Sequence, residues 1–247
     1  MSNMPARWLR RIAYAAVLAT LAIPAVAATD IGKTVIVVKT VLGTLETRVR
    51  QLVLNDGVGQ NEIIATEADA ASEIQFVDGT KLSVGPNARI TLNKFVYDPS
   101  PTRGAFFLTA VSGVFRFVTG NMDHQSYSIT TPNGTIGVRG TSIVFTVYSD
   151  HTTLNTLFGD AFIIDKNGGE FPIHQGQTHT VWQPGTHGDD NAALDGFRGQ
   201  VAQLDNLIQI GQLAGLSPTA GGGNPGPSNF ISPLGTQGSG NPTSPSK

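Results

Sequence analysis

Residues 127–147 run Tyr-Ser-Ile-Thr-Thr-Pro-Asn-Gly-Thr-Ile-Gly-Val-Arg-Gly-Thr-Ser-Ile-Val-Phe-Thr-Val, a pattern that admits strand, tight turn, strand and little else. β-Branched and aromatic residues fill both arms. Asn133-Gly134 stands between them, and that pair tolerates the positive φ angles of a type I′ hairpin. Pro132 has no N–H to give a ladder, so it closes the first arm. In the second arm Gly137 and Gly140 flank Val138-Arg139, and glycine inside a strand marks a bulge or a close backbone approach. Strand alternation puts Arg139 on one face with Thr141, Ile143, Phe145 and Val147. That face is apolar, so the guanidinium is expected at or near the interior unless Gly140 carries a bulge. A buried Arg needs a carboxylate or several carbonyls, so a structural clamp is the first expectation and a partner-binding Arg the second.

The same grammar extends in both directions. Lys33–Leu42, 43–54, 62–66 and 71–77 read as strands, and Asp78-Gly79 is a second strong hairpin signal. Runs at 80–84, 88–96, 105–108 and 113–118 follow. Beyond the central hairpin, 152–158 and 161–165 are split by Gly159-Asp160, Asn167-Gly168 marks a third turn, and 171–174 and 177–182 close the series. Short runs punctuated this often predict an all-β fold over 28–187, a sandwich or β-roll of many short antiparallel strands.

The ends have another character. Arg7, Arg10 and Arg11 precede an apolar run at 12–23, and Ala25-Val26-Ala27 is a small-x-small cleavage signal. Residues 1–27 therefore read as a secretory signal peptide cleaved near Ala27, which predicts a periplasmic or secreted product with no stable membrane span. Leu194, Phe197, Val201, Leu204 and Ile208 recur at helical spacing, so 188–216 is expected to be one amphipathic helix. Residues 217–247 are Gly, Pro and Ser with little to bury, a composition that predicts a disordered tail.

Composition narrows the chemistry. The chain has no cysteine, which excludes disulfides, thiolate metal sites and a cysteine nucleophile. A formal charge of −2 argues against nucleic acid as a partner. His174 and His179 stand five apart on strands around Gly176, a spacing that puts them on opposite faces unless the turn reunites them. Asp189 and Asp190 fit helix capping better than a calcium loop, because Ala192 and Ala193 fall where ligand oxygens are needed. No nucleophile elbow, phosphate loop or marked acid–base pair is present. The expectation is a protein that is not an enzyme and carries no cofactor. A glycan- or cell-wall-binding module is the alternative, with Trp182, Tyr127 and Tyr148 as stacking candidates. A metal-dependent β-roll enzyme ranks third.

Several ordered segments carry a family resemblance. Glu62-Ile-Ile-Ala-Thr66, Phe76-Val-Asp-Gly-Thr-Lys-Leu82, Gly113–Gly120, Thr131-Pro132 through Arg139-Gly140-Thr141, and Gly159-Asp-Ala-Phe162 together resemble the FecR family of bacterial extracytoplasmic domains. The likeness spans most of 31–187. It implies an extracytoplasmic β domain that works by protein contact, here with another envelope protein. It also directs attention to Pro132, Gly134, Gly137, Arg139, Gly140 and Thr141 of the signature, and to Asp78 and Gly79 of the hairpin, as structural or partner-binding positions. In founding members a cytoplasmic anti-sigma segment and a membrane span precede this domain. Here a signal peptide stands in their place, so only the fold and the protein-binding habit are carried over.

Overall fold

The computed structural model describes residues 29–98, 103–183, 186, 188 and 191–215. The expected leader and tail, His187, and the capping residues Asp189 and Asp190 lie outside the described residues. The first strands are β1 (Asp30–Val38), β2 (Val41–Leu45), β3 (Arg48–Gln51), β4 (Gly57–Gly59), β5 (Ile63–Thr66), β6 (Ala71–Phe76), β7 (Lys81–Val84) and β8 (Arg89–Asp98). They are followed by β9 (Arg103–Val118), β10 (Tyr127–Thr130), β11 (Gly134–Val147), β12 (His151–Asp165), β13 (Glu170–His174) and β14 (Thr178–Trp182). Helix α1 (Asn191–Gly215) comes last. All fourteen strands belong to one sheet, and every pairing is antiparallel except β9 with β10.

The sheet rolls on itself because its three longest strands bend. Gly113 in β9, Gly140 in β11 and Gly159 in β12 have φ of 107°, 61° and 74°. Before its bend β9 pairs with β8 and β10; after it, with β7 and β11. The first half of β11 joins β10, and its second half joins β9. Strand β12 carries β14 on its first half and β13 on its second. A broad layer, β3-β2-β5-β8-β9-β10-β11-β12-β13, thus folds over a narrower one, β4-β1-β6-β7-β9-β11-β12-β14. The sandwich-or-roll alternative resolves as a roll with continuous strands through its corners.

Two turns expected from the sequence are bends instead. The runs 105–108 and 113–118 are one strand, and so are 152–158 and 161–165. A glycine in the left-handed region can bulge and redirect a strand without ending its ladder. The Asn133-Gly134 expectation also changes. Neither residue has a positive φ, so the connection is not type I′. The Asp78-Gly79 hairpin forms between β6 and β7 as read, with Gly79 at φ 88°.

The core lies between the layers. Phe106 packs edge-on against Phe76 and Phe95, 4.5 and 5.0 Å between centroids, and Phe115 stacks on Phe145 at 5.1 Å. Outside the narrow layer, Phe197, Leu204 and Ile208 of α1 cover Ile36, Ala71, Val114 and Val144. Arg116 of β9 bonds Asp205 of the helix. Among the described residues no helix is long and apolar enough to cross a membrane.

The corner glycines are the most demanding positions. A Cβ on Gly159 would lie 2.5 Å from the Gly140 carbonyl oxygen, and the backbone is already left-handed there. Gly159→Ala should therefore lower stability by roughly 1–3 kcal/mol, read as a lower urea midpoint at unchanged slope. A change within about 0.5 kcal/mol would show that the corner is not strained by a side chain.

Candidate functional site

The signature turn is locked from within. Thr131 Oγ1 accepts the N–H groups of Asn133 and Gly134 at 3.2 and 3.1 Å, and the Thr131 N–H donates to the Gly134 carbonyl at 2.8 Å. Pro132 sits at the crest, where its missing N–H costs nothing. Asn133 is fully buried. Its amide donates to the Tyr148 carbonyl at 3.0 Å and to Thr152 Oγ1 at 2.9 Å. Gln183 reaches the Pro132 carbonyl at 2.8 Å. The turn therefore binds the start of β11 to the β11–β12 connection, which is an anchoring role for Pro132 and Gly134.

Beyond the turn the strand surfaces. Arg139 is exposed, which corrects the interior placement. The register shifts between Arg139 and Ser142, at left-handed Gly140. The bulge resets the alternation, so Arg139 faces solvent while Thr141, Ile143, Phe145 and Val147 face inward. The Arg139 guanidinium lies 5.2 Å from the centroid of the Phe162 ring. That ring covers Gly137, where a Cβ would sit 2.1 Å from a ring carbon. Gly137 is thus required by close approach. Thr141 ties the bulge down: its N–H donates to Thr119 Oγ1 at 2.9 Å, and its hydroxyl donates to the Phe158 carbonyl. The Phe158 side chain is 61% exposed.

Asp78 serves a different purpose from a surface hairpin residue. Its carboxylate is buried and accepts the Thr80 N–H at 3.0 Å, the Thr80 hydroxyl at 2.6 Å and the Tyr127 hydroxyl at 2.9 Å. Tyr127 in turn accepts the N–H groups of Gly120 and Met122, both at 3.1 Å. A buried carboxylate with several donors is the satisfied arrangement. Gly79 supplies the left-handed residue that closes the hairpin around it. The network fastens β6–β7 to the segment leading into β10, and so to the signature.

The other candidates do not converge. His174 Nδ1 lies 2.8 Å from Asp160, and His179 stacks on Phe171 at 5.3 Å. Among the described residues no group of three or more His, Cys, Asp or Glu could hold a metal ion. Tyr127 is a core residue. Tyr148 and Trp182 stack on either side of His151, at 4.4 and 4.3 Å, so none of the three is a free platform for a sugar. One ion pair with a buried carboxylate went unread in the sequence: Glu62, 1% exposed, accepts from the half-exposed Arg50 at 3.0 Å and from the Gly59 N–H at 2.9 Å. A carboxylate opening an apolar run is the faint mark it leaves. The arrangement is a bulged surface anchored by buried hydrogen bonds.

The family model described as FecR protein matches residues 62–162. The resemblance read from the sequence therefore holds over the segment from the buried Glu62 to the ring above Gly137, with the whole signature and the Asp78-Gly79 hairpin inside it. Two crystal structures of a proposed anti-sigma factor from Parabacteroides distasonis ATCC 8503 are similar at 12% and 14% identity, with TM-scores of 0.43 and 0.41. Each similarity covers 52% of this chain and 58% of the other, so the chain spans less than two thirds of those proteins. No curated protein matches the chain.

The Asp78–Tyr127 contact makes a titration prediction. Burial, then the Asp78 charge, push the Tyr127 hydroxyl up to about 12, from an ordinary value near 10. A raised folded-state pKa means that the neutral hydroxyl stabilises the fold fully below about pH 10 and loses that contribution as pH climbs through about 12. Tyr127→Phe should cost about 1–3 kcal/mol at pH 7, since it strands the Met122 N–H and removes a donor to the buried carboxylate, while the Gly120 N–H keeps Thr80 Oγ1 as acceptor. Removing the ionisable hydroxyl should also flatten the alkaline loss of stability in urea titrations. Parallel curves for both proteins across that window would refute the coupling.

Proposed function

We propose that this chain is an exported regulatory domain of the FecR type that performs no chemistry and signals by protein–protein contact in the bacterial envelope. The match over residues 62–162 carries the reading. Two further features support it. The signature residues divide into buried anchors (Asn133, Gly137, Thr141) and one exposed group, Arg139, whose neighbour at the bulge is the exposed Phe158. An aromatic and an arginine held on a rigid corner have the composition of a protein-contact hot spot. The basic, apolar and small-x-small segments of residues 1–27 supply the export signal.

Two experiments test this reading. The mature N-terminus from a periplasmic extract should begin at Ala28 or Thr29, and an intact Met1 in the membrane fraction would overturn export as a free product. A photoreactive phenylalanine analogue at Phe158 should crosslink an envelope protein in living cells. The same analogue at Val77, 62% exposed elsewhere on the molecule, should not. Identical products from both positions would remove the corner from the contact.

A further inference from the structure

Among the described residues, four strands have a partner on one side only: β3, β4, β13 and β14. An open strand edge is a row of unpaired N–H and C=O groups, and folded proteins finish such edges. Three of the four are finished here. In β13, Pro172 has no N–H to offer, and the His174 N–H donates to the Gln177 side chain at 2.9 Å. Along β14 the chain folds back: the Trp182 N–H donates to the Thr186 carbonyl at 2.9 Å, and the Thr180 carbonyl accepts the Gly188 N–H at 3.4 Å. In β4 the Gly57 carbonyl accepts the Arg50 guanidinium at 2.5 Å. The Gly59 N–H donates to the Glu62 carboxylate at 2.9 Å, and the Gly59 carbonyl accepts the Glu62 N–H at 3.3 Å.

Strand β3 is left open. Its two-residue connection to β2 puts Leu45 opposite Arg48, and the Leu52 N–H donates to the Val41 carbonyl at 2.8 Å. In an antiparallel pair, residues that bond across the ladder alternate with residues that do not. Arg48, Arg50 and Leu52 therefore bond to β2, and the N–H and C=O groups of Val49 and Gln51 point away from the sheet. No described residue bonds them. The side chains beside this edge are apolar on one face. Val49, 60% exposed, is in register with Thr44 and Ile63, and Gln51 with Leu42 and Ala65. Leu42, Ile63 and Ala65 are half-buried, so with Val49 they make an apolar strip on the outer face of the broad layer. Arg48 and Arg50 project from the opposite side of β3. Arg50 is bound to Glu62 and lies 3.8 Å from Asp56. Arg48 is exposed and has no ion pair among the described residues.

We propose that the edge of β3 accepts an extended segment of another protein as an added strand. Its apolar side chains continue the strip of Val49, Leu42 and Ile63, and its alternate, polar side chains, a carboxylate among them, lie beside Arg48. The N–H and C=O groups of Val49 and Gln51 supply the main-chain hydrogen bonds, and the strip decides which face of the segment turns outward. A second copy of this chain is the wrong occupant. Antiparallel self-pairing that bonds Val49 to Gln51 sets Arg50 against Arg50 across the ladder. A shift that pairs Val49 with Val49 sets Arg50 against Arg48. Like charges directly opposite are destabilising. The inference goes beyond the corner contact and does not rest on it, because β3 ends the broad layer on the side away from β11 and β12.

The test is NMR of the full chain titrated with the end-blocked peptide Thr-Val-Glu-Val-Glu-Val-Thr. The scramble Val-Val-Val-Thr-Thr-Glu-Glu is the control. In the free protein the Val49 and Gln51 amides should exchange with solvent far faster than those of Arg50 and Leu52. The alternating peptide should shift and protect both, and the scramble should not. Gln51→Pro removes an outward donor without touching the β2–β3 ladder. It should weaken binding roughly tenfold, the scale of one lost hydrogen bond, at an unchanged urea midpoint. Val49→Asp, which keeps every backbone group, should also weaken it. Arg139→Ala, at the corner, should leave it unchanged. Slow exchange at Val49 and Gln51 in the free protein would mean that a segment of this chain or a second copy already fills the edge, and would overturn the proposal. So would no binding of the alternating peptide, equal binding of the scramble, full affinity in the folded Gln51→Pro protein, or an equal loss in Arg139→Ala.

Discussion

Gly140 and Gly159 meet across the β11–β12 ladder, and the roll depends on that meeting. A sheet with one apolar face must cover it. This chain uses no second sheet for the purpose. It turns three strands through corners and lets the sheet lie over itself, so Phe95 of β8 and Phe106 of β9 reach Phe76 of β6. The corner needs a left-handed residue on each of two paired strands, and at Gly159 it also leaves no room for a side chain. Glycine alone meets both conditions. The bulge that makes the corner also turns Arg139 outward. Closing the core and presenting the signature arginine are thus one event.

The remaining signature residues keep that corner in place. Asn133 and Thr131 fix the far end of β11. Thr141 stitches the bulge to Thr119 and Phe158. The Asp78 carboxylate, through Tyr127, fixes the segment that feeds β10. Each is a buried polar group whose partners are all backbone or hydroxyl, which gives direction where apolar packing alone would permit sliding. The outcome is a corner held in one register by buried hydrogen bonds.

Strand identity and turn chemistry were legible because they are local. Asp78-Gly79 closes its hairpin and the apolar runs are strands. The helix follows the spacing of Phe197, Leu204 and Ile208. What failed needed tertiary information. Gly159-Asp160 looks like a turn and is a corner, because a positive φ is equally consistent with either. Arg139 is inside by parity and outside by one bulged residue. Asn133 has the composition of a type I′ turn, but the buried hydrogen bonds to Tyr148 and Thr152 select another conformation. Asp78 and Tyr127 stand forty-nine residues apart. No short window along the sequence contains both.

Helix α1 touches β1, so the last described element rests on the first. Gly211 lies close against Ile36 and Val38, and Leu204 packs in one cluster with Ala71 and Val114. A chain emerging from its N-terminus makes the underside of this contact long before its lid. Once residue 144 is in place and until α1 follows, Ile36, Ala71, Val114 and Val144 form an uncovered apolar strip. Growing chains with such strips are the ones that chaperones hold and that aggregate when they are not held. Closure of the outer face therefore waits for the C-terminal helix: until Leu204 docks, the rolled sheet keeps its oldest surface wet.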